Sequence, residues 1–410
     1  MRITRRALAA LVLPAPALAQ GPPKVVVIGG GFGGASAARA LHRLGLGVTL
    51  VERNETYTAC PFSNAVIAGL WPMARQRFGY GALRAEGIAV IHQAAVGVEA
   101  KSVRLADGGV LPFDRLLLSP GIDLRFDALP GYDEAAVERL PHAWQAGAQT
   151  ELLRAQLESM PDGGTVVMAI PANPYRCPPG PYERASLIAH YLKTRKLRSK
   201  LLVLDAKDVF SKQRLFEAAW AALYPGLLEY VPLAMGGRVT QVEAASRRVV
   251  TDFGDHVGDV VNVIPPQRAG AIAQLAGVAD RSGWCPIDPV SFESSLVPGV
   301  HVIGDAAIAG AMPKSAFAAN AQARVAAAAI AALLRGRPVQ TPKLLNTCYS
   351  LVAPGYGISV AGVYQPGDGL LRDVPGAGGT SPLDAPAAVR EAEAAYADDW
   401  FATITTDAFG

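Results

Sequence analysis

A glycine-rich turn, Gly29-Gly-Gly-Phe-Gly-Gly34, follows the β-branched run Lys24-Val-Val-Val-Ile28 and precedes a small-residue segment, 35–44, stopped by Gly45. The apolar run predicts a strand buried on both faces of a parallel sheet, and the segment after the turn predicts a helix. A second strand over 48–51 ends at Glu52, 23 residues after Gly29. Gly29, Gly31 and Gly34 thus satisfy G-x-G-x-x-G inside a strand–turn–helix–strand unit. The chemistry needs this arrangement. Glycines bring backbone N–H groups and the helix N-terminus against a pyrophosphate, while the acid accepts from ribose hydroxyls. Glu52, with Arg53 beside it, is therefore assigned to the same dinucleotide site.

Which dinucleotide is bound has to be read elsewhere in the chain. Residues 299–303 predict a strand leading into Gly304-Asp305, and Leu116-Leu-Leu-Ser119-Pro-Gly121 is a strand followed by a small-residue crossover. Both resemble the flavoproteins with two dinucleotide-binding domains, where the acid matching Asp305 meets the ribityl chain and pyrophosphate of FAD. Pro313-Lys314 precedes an Ala-rich helix expected over 315–334. A helix N-terminus with a lysine suits the negative charge of a reduced flavin; the bland alternative for Lys314 is a solvated cap. The resemblance implies FAD, held by Gly29, Gly31, Gly34, Glu52, Arg53, Ser119, Gly121, Gly304, Asp305 and Lys314.

Such flavoproteins carry a second unit for NAD(P)H, and here its glycine turn is missing. A strand over 164–170 is followed by Pro171-Ala-Asn-Pro174-Tyr-Arg-Cys177-Pro-Pro-Gly-Pro181-Tyr-Glu183-Arg184, then by a helix over 185–193 and a strand over 200–205. Five prolines lack both the flexibility of a glycine turn and the N–H groups that grip phosphate. The loop presents Cys177 just before a helix start, a setting that can lower a thiol's pKa. Glu183 follows near that helix's first turn, either at a site or as a plain cap. Cys348 belongs to an expected loop over 344–350. The distant pair is open to three readings: a redox disulfide over the flavin, a structural bridge, or two unpaired thiols. Cys60 follows the acid by eight residues, where a thiol could bond the flavin's dimethylbenzene ring or merely pack beneath it. Cys285 is expected to be a buried small apolar residue.

The full length of 410 residues predicts two or three domains, and 50% hydrophobic against 18% charged residues excludes a disordered chain. Thr4-Arg5-Arg6, an apolar run over 7–18 and Ala17-Leu-Ala19 form an export signal over 1–19, of twin-arginine or ordinary secretory type. Periplasmic localisation is the expectation. Removing Arg2, Arg5 and Arg6 from a formal charge of +3 leaves a mature chain near zero, which argues against a nucleic-acid binder. No later segment is expected to span a membrane, and no metal site is expected.

These residues resemble the flavoprotein subunits of flavocytochrome c sulfide dehydrogenase over the whole mature length, through Val25–Ala35, Tyr57–Asn64, Asn173–Arg184, Gly283–Pro289, Gly304–Gln322, Asn346–Tyr349 and the acidic aromatic tail. The resemblance implies FAD bound covalently to Cys60, an active-site disulfide between Cys177 and Cys348, Glu183 in the sulfide pocket, and a c-type cytochrome subunit as electron acceptor. The tail over 384–410 holds six acids against Arg390 alone, a net of −5, and is expected to dock the cytochrome. Rival readings are a sulfide:quinone oxidoreductase and a non-catalytic flavin carrier or assembly factor. The expected architecture is α/β. It has a discontinuous FAD domain (20–145 and 276–337), a degenerate second Rossmann-like domain (146–275) and a C-terminal α+β interface domain (338–410), with 352–379 as irregular loops.

Overall fold

The computed structural model describes residues 21–410; the expected export signal lies outside them. The first strand, Lys24–Ile28, is the centre of a five-stranded parallel sheet, flanked by Gly47–Val51 and then Ala89–Ile91 on one side. On the other side come Arg115–Leu118 and then Val300–Val302. The two halves of this unit are thus joined by strand pairing, although some 180 residues separate them along the chain. Val25, Val27, Leu50, Leu116, Leu117 and Leu118 are fully buried, as a sheet covered on both faces requires.

The first helix, Phe32–Arg43, starts three residues earlier than its sequence pattern suggested, because the glycines themselves adopt helical geometry. It packs against the helix Ala316–Leu334, whose small residues allow close approach. That second helix is long and apolar enough to cross a membrane by length and composition, with a mean hydropathy of 1.4, which the sequence reading did not foresee. Its apolarity has a local cause: Ala323, Ala326, Ala327 and Ile330 lie in the core beside the first helix.

The second unit is a four-stranded parallel sheet in the order Leu228–Val231, Lys200–Asp205, Thr165–Ile170, Val260–Val263. Its helix, Gly180–Arg195, begins five residues before the expected start, with Pro181 in the first turn, where a missing N–H costs nothing. Glu183 therefore lies inside the helix's first turn. The chain returns to the first unit through Gln267–Ala269, which pairs antiparallel with Ile122–Leu124.

The C-terminal region corrects two expectations. Cys348 is in a strand, Leu344–Ala353, and the supposed irregular stretch contains its partner Tyr356–Gly367 and the next strand of the sheet, Leu370–Asp373. Pro and Gly here mark the turns of an antiparallel sheet, and the alternating residues between them carry its pleat. The acidic tail is a 23-residue helix, Ala387–Phe409, packed into the protein rather than free. Arg39 donates to the carbonyls of Thr406 (3.0 Å) and Asp407 (2.9 Å), capping its last turn. Asp398 pairs with Arg75 at 2.9 Å and Asp407 with Arg324 at 2.8 Å, so part of the tail's negative charge is compensated internally.

Candidate functional site

One cavity of about 440 Å³ opens at the C-terminal edge of the first sheet, where ligands of open α/β sheets bind. The glycine turn forms one wall. Gly29 has φ of +96°, and a Cβ on Gly34 would lie 1.7 Å from the Gly29 carbonyl oxygen, so neither position accepts another residue without movement. Gly34 lies behind the wall and serves this packing; Gly29 and Gly31 line the cavity. Glu52 lines the same end beside Arg53, and its carboxylate accepts from the amides of Gly30 (2.7 Å) and Asn54 (2.9 Å). Ser119, Gly121, Gly304 and Asp305 continue the wall. Asp305 is decisive for what could lie there: its Oδ1 is buried without a hydrogen-bond partner. Burial pushes this carboxyl above its ordinary range, opposed by Arg176 and Lys314. An orphaned acceptor beside a glycine cradle fits the hydroxyl donors of a ribityl chain.

Lys314 departs from expectation. Its side chain does not reach the cavity; Nζ donates to the carbonyls of Asp305 (2.7 Å) and Ala307 (2.8 Å) and lies 4.0 Å from the Trp284 ring centre. Burial lowers it to about 8. Its carbonyl does the positioning instead, accepting from the Cys177 amide at 2.7 Å. The following helix N-terminus does face the cavity through Ser315, Ala316 and Phe317.

At the far end the cavity is lined by Cys60, Cys177, Glu183 and Cys348, drawn from three separate segments. All four cysteines of the chain are free thiols in this structure, and Cys285 is fully buried in the core. Cys60 follows the strand Thr56–Thr58, and aromatic packing fixes its loop. Phe62 stacks on Trp71 (4.3 Å between ring centres) and touches Phe401, and Tyr57 stacks on Phe409 (5.2 Å). The C-terminal helix thus clamps the segment that carries Cys60. Cys177 sits at φ of 58°, an uncommon backbone for a residue with a side chain. A Cβ on Gly180 would come within 2.9 Å of its sulfur.

The Cys177 thiol is pushed up by burial and further by Cys348, the ionisable neighbour that acts on it most, while Arg176 and Lys212 oppose this. The proline-flanked loop was expected to lower it. Enclosure against the first unit reverses the sign, because a buried thiolate loses its hydration. Cys348 is tied to the cofactor unit: Asn346 donates to its Sγ at 3.3 Å and accepts from Ser315 at 2.6 Å. Ser315 in turn caps the helix Ala316–Leu334.

Glu183 accepts from Asn64 Nδ2 (2.8 Å) and from the Leu351 amide (2.9 Å), so it joins the Cys60 loop to the Cys348 strand. Burial raises its pKa, and those two hydrogen bonds pull it back. Sequence reasoning missed the groups that hold this end together. Arg184, 2% exposed, donates to Asn64 Oδ1 (3.0 Å), to the His142 carbonyl (2.8 Å) and to Asn262 Oδ1 (3.1 Å). Arg176 lines the cavity 3.9 Å from Asp305 and donates to the Trp144 carbonyl. Both arginines belong to the proline-rich segment that carries Cys177, and basic residues in so apolar a stretch were the available signal.

The second unit's own nucleotide position is filled. Asp205, where a ribose-binding acid would end the second strand, is 0% exposed. Its carboxylate accepts from Tyr182 (2.6 Å), Tyr230 (3.0 Å) and Lys207 (2.5 Å). The carboxylate is thus buried under three donors of its own chain, and the turn after the unit's first strand is proline-rich.

Residues 150–265 match the family profile "Sulfide dehydrogenase [flavocytochrome c] flavoprotein chain, central", and residues 340–409 match "Flavocytochrome c sulphide dehydrogenase, flavin-binding". Residues 23–156 match the pyridine nucleotide-disulphide oxidoreductase profile. A sulfide dehydrogenase [flavocytochrome c] flavoprotein chain from Chlorobaculum thiosulfatiphilum is 56% identical over 48 residues, 11% of this chain and all of that sequence. The chain belongs to the family of flavocytochrome c sulfide dehydrogenase flavoprotein chains. As a member it is an FAD-dependent oxidoreductase with a flavin-binding C-terminal region, which agrees with the orphaned Asp305 and the glycine cradle. A probable ferredoxin reductase from Castellaniella defragrans is 30% identical over 132 residues, 28% of this chain and 31% of that one.

Solved structures show that the family's two-unit fold is shared more widely. The sulfide:quinone oxidoreductase of Aquifex aeolicus superposes with a TM-score of 0.73 at 16% identity, covering 94% of this chain and 92% of that one. Putidaredoxin reductase, in its covalent complex with putidaredoxin, gives 0.65 at 19% identity, covering 84% and 82%. At these identities the likeness is one of fold.

Proposed function

We propose that this chain is a periplasmic sulfide dehydrogenase flavoprotein that oxidises hydrogen sulfide through a redox disulfide between Cys177 and Cys348 and delivers the electrons to a c-type cytochrome subunit. The observation that carries the reading is the convergence of both cysteines and Glu183 on one cavity that also holds the glycine turn and Asp305. Family membership supports the substrate and the partner, and the filled Asp205 position argues against nicotinamide as electron donor.

In this reading Gly29, Gly31, Glu52, Arg53, Ser119, Gly121, Gly304 and Asp305 hold FAD, and Cys60 bonds it covalently. FAD bound there would supply a two-electron acceptor able to release electrons singly. The chain's residues do the sulfur chemistry. Hydrosulfide attacks one sulfur of the bridge, forming a persulfide and releasing the other sulfur as a thiolate. A second hydrosulfide attacks the persulfide, leaving as polysulfide and returning the cysteine to a thiol. Re-forming the bridge from the two thiols gives up two electrons and two protons. Glu183, raised by burial and held between Asn64 and Leu351, is suited to carry a proton between hydrogen sulfide and a departing thiolate at neutral pH. The twin-arginine segment supports export of a protein already folded around its cofactor. Exposed Asp384, Glu391 and Asp399 leave the C-terminal face acidic, which favours a cytochrome over an anionic membrane surface.

Anaerobic titration of the purified protein decides the matter. Sulfide should bleach the flavin band and NADH should not; rapid bleaching by micromolar NADH would overturn the proposal. For Cys60, acid-precipitated protein should stay yellow and its Cys60 peptide should carry the flavin mass, whereas a colourless pellet would show the bond to be absent.

A further inference from the structure

We propose that Lys212 is a positioning residue for the cysteine pair: a fixed buried charge that makes Cys348 the departing thiolate and thereby directs hydrosulfide to Cys177. The inference rests on the proposed role of the two cysteines.

Lys212 caps the helix Gln213–Leu223 in the left-handed region, with φ of 63° and ψ of 24°, and is 7% exposed. Its ammonium donates to the Cys348 carbonyl (3.0 Å), Ser350 Oγ (2.8 Å) and the Ile358 carbonyl (3.3 Å). Every acceptor is neutral, and among the described residues no carboxylate lies within ion-pair distance of it. Packing alone gives no reason for this residue. A glycine would take the backbone conformation at no steric cost, and an apolar side chain would avoid desolvating an ammonium. The strand Leu344–Ala353 and its neighbour could keep their ladder without it.

The charge finds its partners in the site. The ionisable groups that act on Lys212 are Cys348 first, then Glu183 and Cys177, and last Glu393 of the C-terminal helix. Burial lowers the ammonium to about 8, so it remains mostly protonated at neutral pH. Cys177 has a poorer environment for an anion: it is enclosed, and Glu183 acts on it with like charge. Its neighbour Arg176 is partly committed to the Trp144 carbonyl.

The step balances. A bond forms between the hydrosulfide sulfur and Cys177 Sγ, and the Cys177–Cys348 bond breaks. Its electron pair stays on Cys348 Sγ, so the sulfide sulfur is oxidised by one unit and Cys348 is reduced by one. The new negative charge arises on the residue whose carbonyl Lys212 already holds at 3.0 Å.

The test is pulse alkylation of the reduced, flavin-loaded protein with iodoacetamide under anaerobic conditions across pH 5–10, reading the Cys177 and Cys348 peptides by mass spectrometry. In wild-type protein Cys348 should reach half-maximal labelling at a lower pH than Cys177. Lys212→Met should raise the Cys348 midpoint by about one pH unit, slowing its labelling about tenfold at pH 7, since one unit of pKa is a factor of ten. Lys212→Arg should restore the wild-type midpoint. The inference is overturned if Cys177 titrates first, if Lys212→Met leaves the Cys348 midpoint in place, or if Lys212→Arg behaves like Met. Should Lys212→Met fail to fold, the order of the two cysteines in wild-type protein decides alone. Labelling needs no sulfide turnover. Absence of sulfide bleaching would therefore remove the proposed function, and loss of the cysteine order with bleaching intact would remove only the role of Lys212.

Discussion

Replacing Arg184 by Met should destabilise the protein by about 3–5 kcal/mol, the sum expected when several buried acceptors are left unsatisfied at about 1–3 kcal/mol each. The guanidinium is 2% exposed and serves Asn64, His142, Ala143 and Asn262, with contacts of 2.5–3.1 Å. Burial lowers it only to about 10, so it is a cation at every physiological pH. Met fills much of the same volume, so the loss comes from stranded acceptors rather than from a cavity. The His142 carbonyl keeps one donor, Asn262 Nδ2 at 3.0 Å, but Asn64 Oδ1 loses the Arg184 Nε bond that orients its amide. Asn64 holds Glu183, so the damage should reach the sulfur site as well. At about 2 °C per kcal/mol for a chain of this size, the melting temperature should fall by about 6–10 °C. Far-UV circular dichroism and flavin fluorescence, scanned together, measure it. A shift under about 2 °C would refute the argument, because it would mean that the four acceptors find water or other donors at no cost.

Cys177→Ser and Cys348→Ser should each keep FAD yet lose sulfide oxidation by orders of magnitude, because neither variant has a disulfide to attack; near-normal turnover in either would show the pair to be dispensable. Glu183→Gln should change the pH dependence of stability. Burial holds this carboxyl above its ordinary value, so between the two values the folded state binds the extra proton and stability falls as pH rises. Thermal melts from pH 4 to 8 should therefore show wild-type protein losing ground to the variant toward the alkaline end, and parallel curves would contradict the shift. Gly34→Ala should purify with little or no flavin by absorbance at 450 nm, since its Cβ would sit 1.7 Å from a backbone oxygen; full flavin content would show that the turn can shift.

The local periodicities of the chain determined the Rossmann-like units. Lys24–Ile28 and Lys200–Asp205 form as strands with the bounds their sequence implies, because buried parallel strands are written as continuous apolar runs. The glycine turn was equally legible, since only glycine can occupy positions where a Cβ would strike backbone. Strand and helix ends were less so: the proline at position 181 reads as a loop in isolation, yet it belongs to a helix's first turn. The strands within 352–379 were hidden because their pairing is non-local, and their glycines and prolines spoke louder than their pleat. Tertiary structure alone decided the electrostatics of the site. Cys177 was expected in a setting that lowers its pKa, and enclosure by a neighbouring unit raises it. Lys314 was expected at the cofactor, and two carbonyls from its own connection capture it. Asn64 and Lys212 gave no sequence signal, and the partners of Asn64, Arg184 and Lys212 lie from 41 to 146 residues away along the chain. Burial and charge proximity depend on which distant segments the fold brings together, and no local pattern encodes that.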